Sequence, residues 1–327
     1  MNSFVFTCGD INGIGPEISL KTINNISKKK KRQIYFVCPK NIFLSTLKNI
    51  NIDLEFEILN SIPNYKLVDG KLKIIDIGYG RQSIGKPTKT SGKISYASII
   101  TSYKMIENGI ADAMVTAPIS KFSLGLAGID FPGHTELLAK ISKSKKFGMM
   151  FLSSKFHTAL LTIHEPIAKV ARLLSQKLLI NKIDLFCDTL KNDLKIANPK
   201  MALLGINPHS GENGKIGNEE IKIFNPVLNK YKSEEIQGPF VPDAFFGNRL
   251  YKNFDLVIGT YHDQVLIPFK LLNFNQGVNF TAGLPFVRTS PDHGTAFDIA
   301  YKNIADYKSM YQAFIWAEKI VNNRKNT

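Results

Sequence analysis

The stretch SFVFTCGDINGIGPEISLKTINNI, Ser3 to Ile26, passes from strand to glycine loop to helix. SFVFTC is a short apolar run rich in β-formers, and GDINGIG is turn chemistry. PEISLKTINNI carries apolar residues at helical spacing, with Pro16 near the first turn, where its missing N–H costs nothing. QIYFVC supplies a second strand. The order recurs at ADAMVTAP, KMALLGINP and FDLVIGTYHD, each an apolar run ending in a polar loop that opens a helix. Such alternation predicts an α/β protein with mainly parallel strands flanked by helices. Ligands of open α/β sheets collect at the carboxyl ends of strands, so the polar loops are expected to converge in one cleft.

The glycine loop is not an ordinary dinucleotide fingerprint. After Gly13 and Gly15 the third glycine position is Ile18, and the acidic residue expected further on is replaced by the basic run Lys28 to Arg32. Two long amphipathic segments, Leu173 to Leu194 and MYQAFIWAEKIVNN near the carboxyl end, read as helices, with Met310 and the aromatics packing in a core or an interface.

With 327 residues, 44% hydrophobic and 21% charged, the chain has the composition of an ordinary globular protein of about two domains. Its longest apolar runs are far short of a membrane span, and MNSFVFTCGD has none of the features of a secretory signal, so a cytoplasmic location is expected. Cys8, Cys38 and Cys187 are odd in number and set in apolar surroundings, which predicts buried free thiols. A net charge of +15 would suit a phosphate polymer, but the lysines are dispersed and no stacking motif, zinc finger or recognition helix accompanies them. No nucleic-acid or membrane partner is expected; a small anionic substrate makes better use of the charge.

Five of six histidines lie in polar clusters: PGHTE at His134, TIHEP at His164, NPHSGE at His209, YHDQ at His262 and PDHGT at His293. Only His157, in KFHTALLTI, reads as structural. His164, His209 and His262 are too far apart for a zinc finger and can meet only if separate loops bring them together, as in catalytic metal sites. Three neutral imidazoles favour Zn²⁺ or Co²⁺ over an all-oxygen magnesium cage. Asp243 in GPFVPDAFF and Asp263 after His262 can orient ligands or accept a proton, and Asp263 is also expected to cap the helix starting at QVLIPF. Lys270, Asn279 and Arg288 form an anion-binding set of point charge, amide and planar fork. His134 and Thr135 add donors at an expected helix start.

GDINGIGPE, TAPISK, FPGHTELLA, INPHSGENGKIGNEE, GPFVPDAFF, YHDQVLIPFK and GVNFTAGLPFVRTSPDHGTAFDIA, in that order, resemble the 4-hydroxythreonine-4-phosphate dehydrogenase family of vitamin B6 (pyridoxine) biosynthesis. That family lies within the isocitrate/isopropylmalate dehydrogenase-like superfamily. The resemblance implies two α/β domains with the active-site cleft between them, residues 1–125 with 275–327 forming one and 126–274 the other, the latter carrying metal-site loops and dimer contacts. It implies an NAD- or NADP-dependent oxidoreductase that takes 4-phosphooxy-L-threonine to a β-keto acid and then, by decarboxylation, to 3-amino-2-oxopropyl phosphate. Matching positions make His164, His209 and His262 ligands of a divalent metal, zinc first, with cobalt and magnesium as alternatives.

By the same matching, His134, Thr135, Lys270, Asn279 and Arg288 bind substrate, and Asp243, Asp263 and Lys270 are the catalytic candidates. Thr289, Ser290, Asp292, His293 and Gly294 fall where related enzymes place an adenosine-binding loop. A homodimer with its active site at the subunit interface is implied, with metal ligands drawn from both chains. The nearest rival is a dehydrogenase for threonate or erythronate 4-phosphate; a phosphate acyltransferase shares the fold but needs no histidine triad. Against the family's usual YHDQGLIP, Val265 stands in place of glycine, so that residue is either helical or set in an altered backbone.

Overall fold

The computed structural model describes residues 1–27, 32–131, 133–233, 235–274 and 276–326, which leaves Lys28 to Lys31 of the basic run outside the described residues. The chain forms two compact units, one of Met1–Ile141 with Pro285–Asn322 and one of Ser142–Leu284 with Asn323–Thr327. The helix His134–Ile141 therefore belongs to the first unit and the strand Val278–Ala282 to the second.

In the first unit six strands, β1 (Asn2–Thr7), β2 (Arg32–Val37), β3 (Phe56–Leu59), β4 (Leu72–Ile75), β5 (Ala113–Val115) and β12 (Val287–Pro291), lie in the order β3-β4-β2-β1-β5-β12. Every one of these neighbours is parallel. β1 and β2 are buried along almost their whole length, as strands covered on both faces must be, which is why SFVFT runs apolar rather than alternating. The helix Gly15–Ser27 follows the glycine loop as expected. The helix Lys308–Lys325 buries Met310 and Phe314, the latter edge-on to Phe4 at 4.9 Å between ring centres.

The second unit contains β6 (Gly148–Leu152), β7 (His157–Leu160), β8 (Met201–Leu204), β9 (Ile236–Phe240), β10 (Leu256–Gly259) and β11 (Val278–Ala282) in the order β11-β6-β7-β10-β8-β9. β6 runs antiparallel to both neighbours, whereas β7, β10, β8 and β9 are parallel. The expected helix from Leu173 to Leu194 is the helix Gln176–Asn192, capped by Ser175, whose hydroxyl accepts from Leu178 N at 3.2 Å; a separate short helix, Ile167–Leu173, precedes it.

Val265 is resolved in favour of the helical alternative. It lies in the helix His262–Asn273, fully buried among Phe151, Leu204, Val257 and Phe269, where burying a valine contributes about 1.5–3 kcal/mol. Cys8 and Cys38 are buried free thiols, but Cys187 is only half-buried. Among the described residues no helix is long and apolar enough to cross a membrane.

Candidate active site

Three adjacent parallel strands, β7, β10 and β8, carry His164, His262 and His209 just beyond their carboxyl ends. The strand ends are apolar and buried, so the chain emerges into solvent where the polar loops begin. His164 and His209 both take left-handed backbone, each at φ 52°. For His209 this opens a run of left-handed residues through Asn213, so KMALLGINP leads into a distorted turn, Pro208–Gly214, rather than the expected regular helix. His262 is the first residue of its helix. Its Nδ1 lies 2.6 Å from Asp263 Oδ1, and with Nδ1 donating to that carboxylate the lone pair of Nε2 is the one that can bind a metal ion.

The rings of His164 and His262 are 5.9 Å apart between centres. Two imidazoles on neighbouring strand ends, one oriented by a carboxylate, suit a borderline divalent ion. Among the described residues no three His, Cys, Asp or Glu side chains are grouped to hold a metal.

Asp263 is not the expected helix cap. Tyr261 occupies that position with extended backbone, φ −144° and ψ 165°, and makes no side-chain cap. Asp263 instead lies in the first turn, where a carboxylate favours the positive end of the helix dipole. Asp243, in the first turn of the helix Pro242–Gly247, shares with Asp263 and Tyr261 the lining of a surface depression of about 310 Å³. Lys270 is exposed in the last turn of the His262 helix, and Asn279 sits on β11 opposite Phe151.

In the first unit, Arg288 of β12 is only 2% exposed. Its Nε and Nη2 donate to Thr116 Oγ1 at 3.0 and 2.8 Å, just past the end of β5. Burial lowers the guanidinium pKa to about 9 and the charge of Glu136 opposes the fall, so Arg288 stays protonated at neutral pH. His134 and Thr135 open the helix His134–Ile141; Thr135 is buried, and so is Nε2 of His134. Burial first, and then the positive charge of Arg288, push the His134 imidazole well below its ordinary range, so it is neutral at pH 7. Sequence reading missed Thr116 and Glu136, although TAPISK at a strand end and Glu136 in PGHTE were in view.

The segment expected to meet a cofactor divides. Thr289 and Ser290 are buried, and the Thr289 hydroxyl donates to Ala313 O at 2.8 Å, so it ties β12 to the carboxyl-terminal helix. Asp292 N donates to Ser309 Oγ at 3.1 Å; His293 Nδ1 lies 3.1 Å from Gly294 O, and Gly294 is exposed. The glycine loop packs on the next residue. Ile14 N donates to Thr295 O at 3.0 Å, and a Cβ on Gly13 would come within 2.6 Å of that same oxygen.

Asp10 anchors this loop. Its buried carboxylate accepts from Ser123 Oγ at 2.7 Å, Ser91 Oγ at 3.0 Å and Asn12 N at 3.0 Å, and burial raises its pKa against those three bonds. Asn12 extends the anchor by donating to Lys86 O and accepting from Ser83 N, both at 2.8 Å.

A solved isocitrate dehydrogenase from Methylococcus capsulatus shares the architecture at a TM-score of 0.51 and 12% identity, over 99% of this chain and 87% of that one, so the fold is that of the isocitrate dehydrogenase-like α/β enzymes. The profile of the pyridoxal phosphate biosynthetic protein PdxA matches residues 29–317, and the chain belongs to that family. It is 38% identical to the 4-hydroxythreonine-4-phosphate dehydrogenase of Sulfurihydrogenibium sp. (strain YO3AOP1) over 315 residues, 96% of each chain. The crystal structure of 4-hydroxythreonine-4-phosphate dehydrogenase from Klebsiella pneumoniae superposes at a TM-score of 0.84 with 33% identity, covering 98% of both. These relatives carry the name of the amino substrate, and the amine-free alternative finds no support in them.

Proposed function

We propose that this chain oxidises 4-phosphooxy-L-threonine at its hydroxyl-bearing carbon and then decarboxylates the product to 3-amino-2-oxopropyl phosphate. The observation that carries the reading is the His164–His262 pair on adjacent strand ends, with Nδ1 of His262 held by Asp263, in a chain of the PdxA family. We read the working form as a cytoplasmic homodimer with metal ligands from both chains.

When bound, NAD⁺ supplies the hydride acceptor, and the divalent ion, for which imidazole donors favour zinc over magnesium, supplies Lewis acidity at the substrate oxygen. The remaining work falls to the chain. His164, His209 and His262 hold the ion, and Asp263 fixes the tautomer of His262. Arg288, protonated and buried, offers an oriented fork to an anionic group of the substrate, with Thr116 holding its Nε and Nη2 side. His134 is neutral beside it and can accept a hydrogen bond, while Thr135, Lys270 and Asn279 add donors.

As hydride leaves carbon, the hydroxyl proton passes to Asp243 or Asp263. The β-keto acid then loses CO2, the electron pair moving into the ketone, and Lys270 returns a proton to carbon. Asp292, His293 and Gly294 are the residues of the cofactor segment we assign to NAD, with Thr289 and Ser290 supporting them from below.

The test is NADH formation from 4-phosphooxy-L-threonine beside threonate 4-phosphate, before and after chelation and metal restoration. Turnover of the amino substrate that is lost with chelator and regained with zinc is the expected result. Turnover of the amine-free acid alone would overturn the substrate assignment, and chelator-insensitive turnover the metal assignment.

A further inference from the structure

One side chain outside the proposed chemistry touches two of the three histidine-bearing strand ends and reaches the third through a threonine. Gln264 lies in the first turn of the helix that His262 opens. Its Nε2 donates to Gly205 O at 2.7 Å, at the end of β8, before His209. Its Oε1 accepts from Thr260 N at 2.7 Å and from Thr260 Oγ1 at 3.0 Å, at the end of β10, before His262. Thr260 O in turn accepts from Thr162 Oγ1 at 2.7 Å, at the end of β7, before His164. Thr260 and Thr162 are buried, so these bonds are sheltered from water.

The linkage runs across the sheet in the order of the strands themselves, β8-β10-β7. The amide suits this position, since it accepts from an N–H and donates to a carbonyl at once, which a carboxylate cannot do. The space is closed behind it: a Cβ on Gly259 would lie 2.5 Å from Val265 Cγ1 and 3.3 Å from Gln264 Oε1.

We propose that Gln264 is a positioning residue of the metal site, fixing the strand ends from which the His164, His209 and His262 loops each spring through Thr162, Gly205 and Thr260. The inference rests on the metal reading given above. Groups that orient metal ligands from behind typically change affinity by about 10–100-fold when removed, and Gln264 orients three loops rather than one ligand.

The experiment uses the full-length protein and measures zinc affinity by competition with a chromophoric chelator, together with the visible spectrum of the Co²⁺ form. The variants are Gln264→Glu, which keeps the acceptor but sets an oxygen against Gly205 O, Gln264→Met, which keeps length without either bond, and Thr162→Val, which removes one hydroxyl link at constant volume. His262→Ala serves as the ligand control, and thermal unfolding of the metal-free proteins reports the fold.

The expected result is zinc binding weakened roughly 10–100-fold in both Gln264 variants, an altered Co²⁺ spectrum, and a smaller shift of the same kind in Thr162→Val. Gln264 variants that lose thermal stability yet bind zinc as wild type, with an unchanged Co²⁺ spectrum, would show a merely structural glutamine and overturn the inference. A wild-type protein that binds neither ion, or a His262→Ala protein that binds both normally, would overturn the metal reading itself, and the positioning role with it.

Discussion

The two units hold their candidate site residues by opposite means. In the second, the histidines stand in solvent: the His262 side chain is 41% exposed, and His164 and His209 are exposed too. Their positions come from the backbone, through left-handed φ at His164 and His209 and the hydrogen bonds that cross the strand ends. In the first, Arg288 and the Nε2 of His134 are buried, and the guanidinium is held by its own bonds to Thr116. An exposed ligand can be deleted without stranding a buried polar group, whereas a buried charge cannot. Function and stability should therefore separate in one region and travel together in the other.

The largest effect expected is at His209. His209→Ala should take turnover to background and strip the metal while leaving the fold intact. Because His209 is left-handed, alanine adds backbone strain, and His209→Asn is the cleaner variant, since asparagine tolerates that conformation. Metal content by elemental analysis and thermal unfolding check both claims. Wild-type metal content would remove His209 from the ligand set, and a collapsed fold would erase the contrast with Arg288.

At Arg288 the two quantities should move together. A hydrogen bond to a charged group contributes about 1.5–3 kcal/mol, so Arg288→Ala should raise the KM for the phosphorylated substrate roughly ten- to hundredfold. It should also lower stability by about 1–3 kcal/mol, because the Thr116 hydroxyl and Glu136 lose a buried partner. Arg288→Lys sharpens the point: it keeps the charge but loses the fork, so it should recover more stability than substrate affinity. Steady-state kinetics beside urea unfolding measure both, and an unchanged KM would argue against an anion-binding role.

The same contrast marks how far the chain could be read without its structure. The strand, loop and helix of Ser3 to Ile26 are local, and each is where its residues place it. The histidine clusters are legible too, because imidazoles beside Gly and Pro stand out in a lysine-rich chain. Thr116 and Gln264 are not, for their work is done across strands that neighbour one another only in the non-sequential order β7-β10-β8 or β5-β12. Asp263 misled for a related reason. A cap is defined by the extended backbone of the residue before the helix, and an isolated aspartate gives no sign of which residue that will be. Val265 resolves once Gly259 is seen to leave it room.

The smallest expected effect tests the buried side of the comparison alone. The imidazole of His134 is depressed well below its ordinary 6.5 by burial and then by Arg288, whereas in the unfolded chain it takes up a proton near that value. Between the two pKa values the unfolded state binds more protons, so stability must fall as pH falls through that window, by up to about 1.4 kcal/mol per pH unit for one group. Above 6.5 the imidazole is neutral in both states and contributes no slope. His134→Asn keeps a polar side chain that does not titrate, so its urea midpoint should decline less steeply than that of wild type from pH 6.5 towards about pH 5. Equal slopes would mean that water reaches the His134 ring in the folded protein. Arg288 would then lie in a wetter setting as well, its interactions would be screened, and the coupled losses expected for Arg288→Ala should shrink with them.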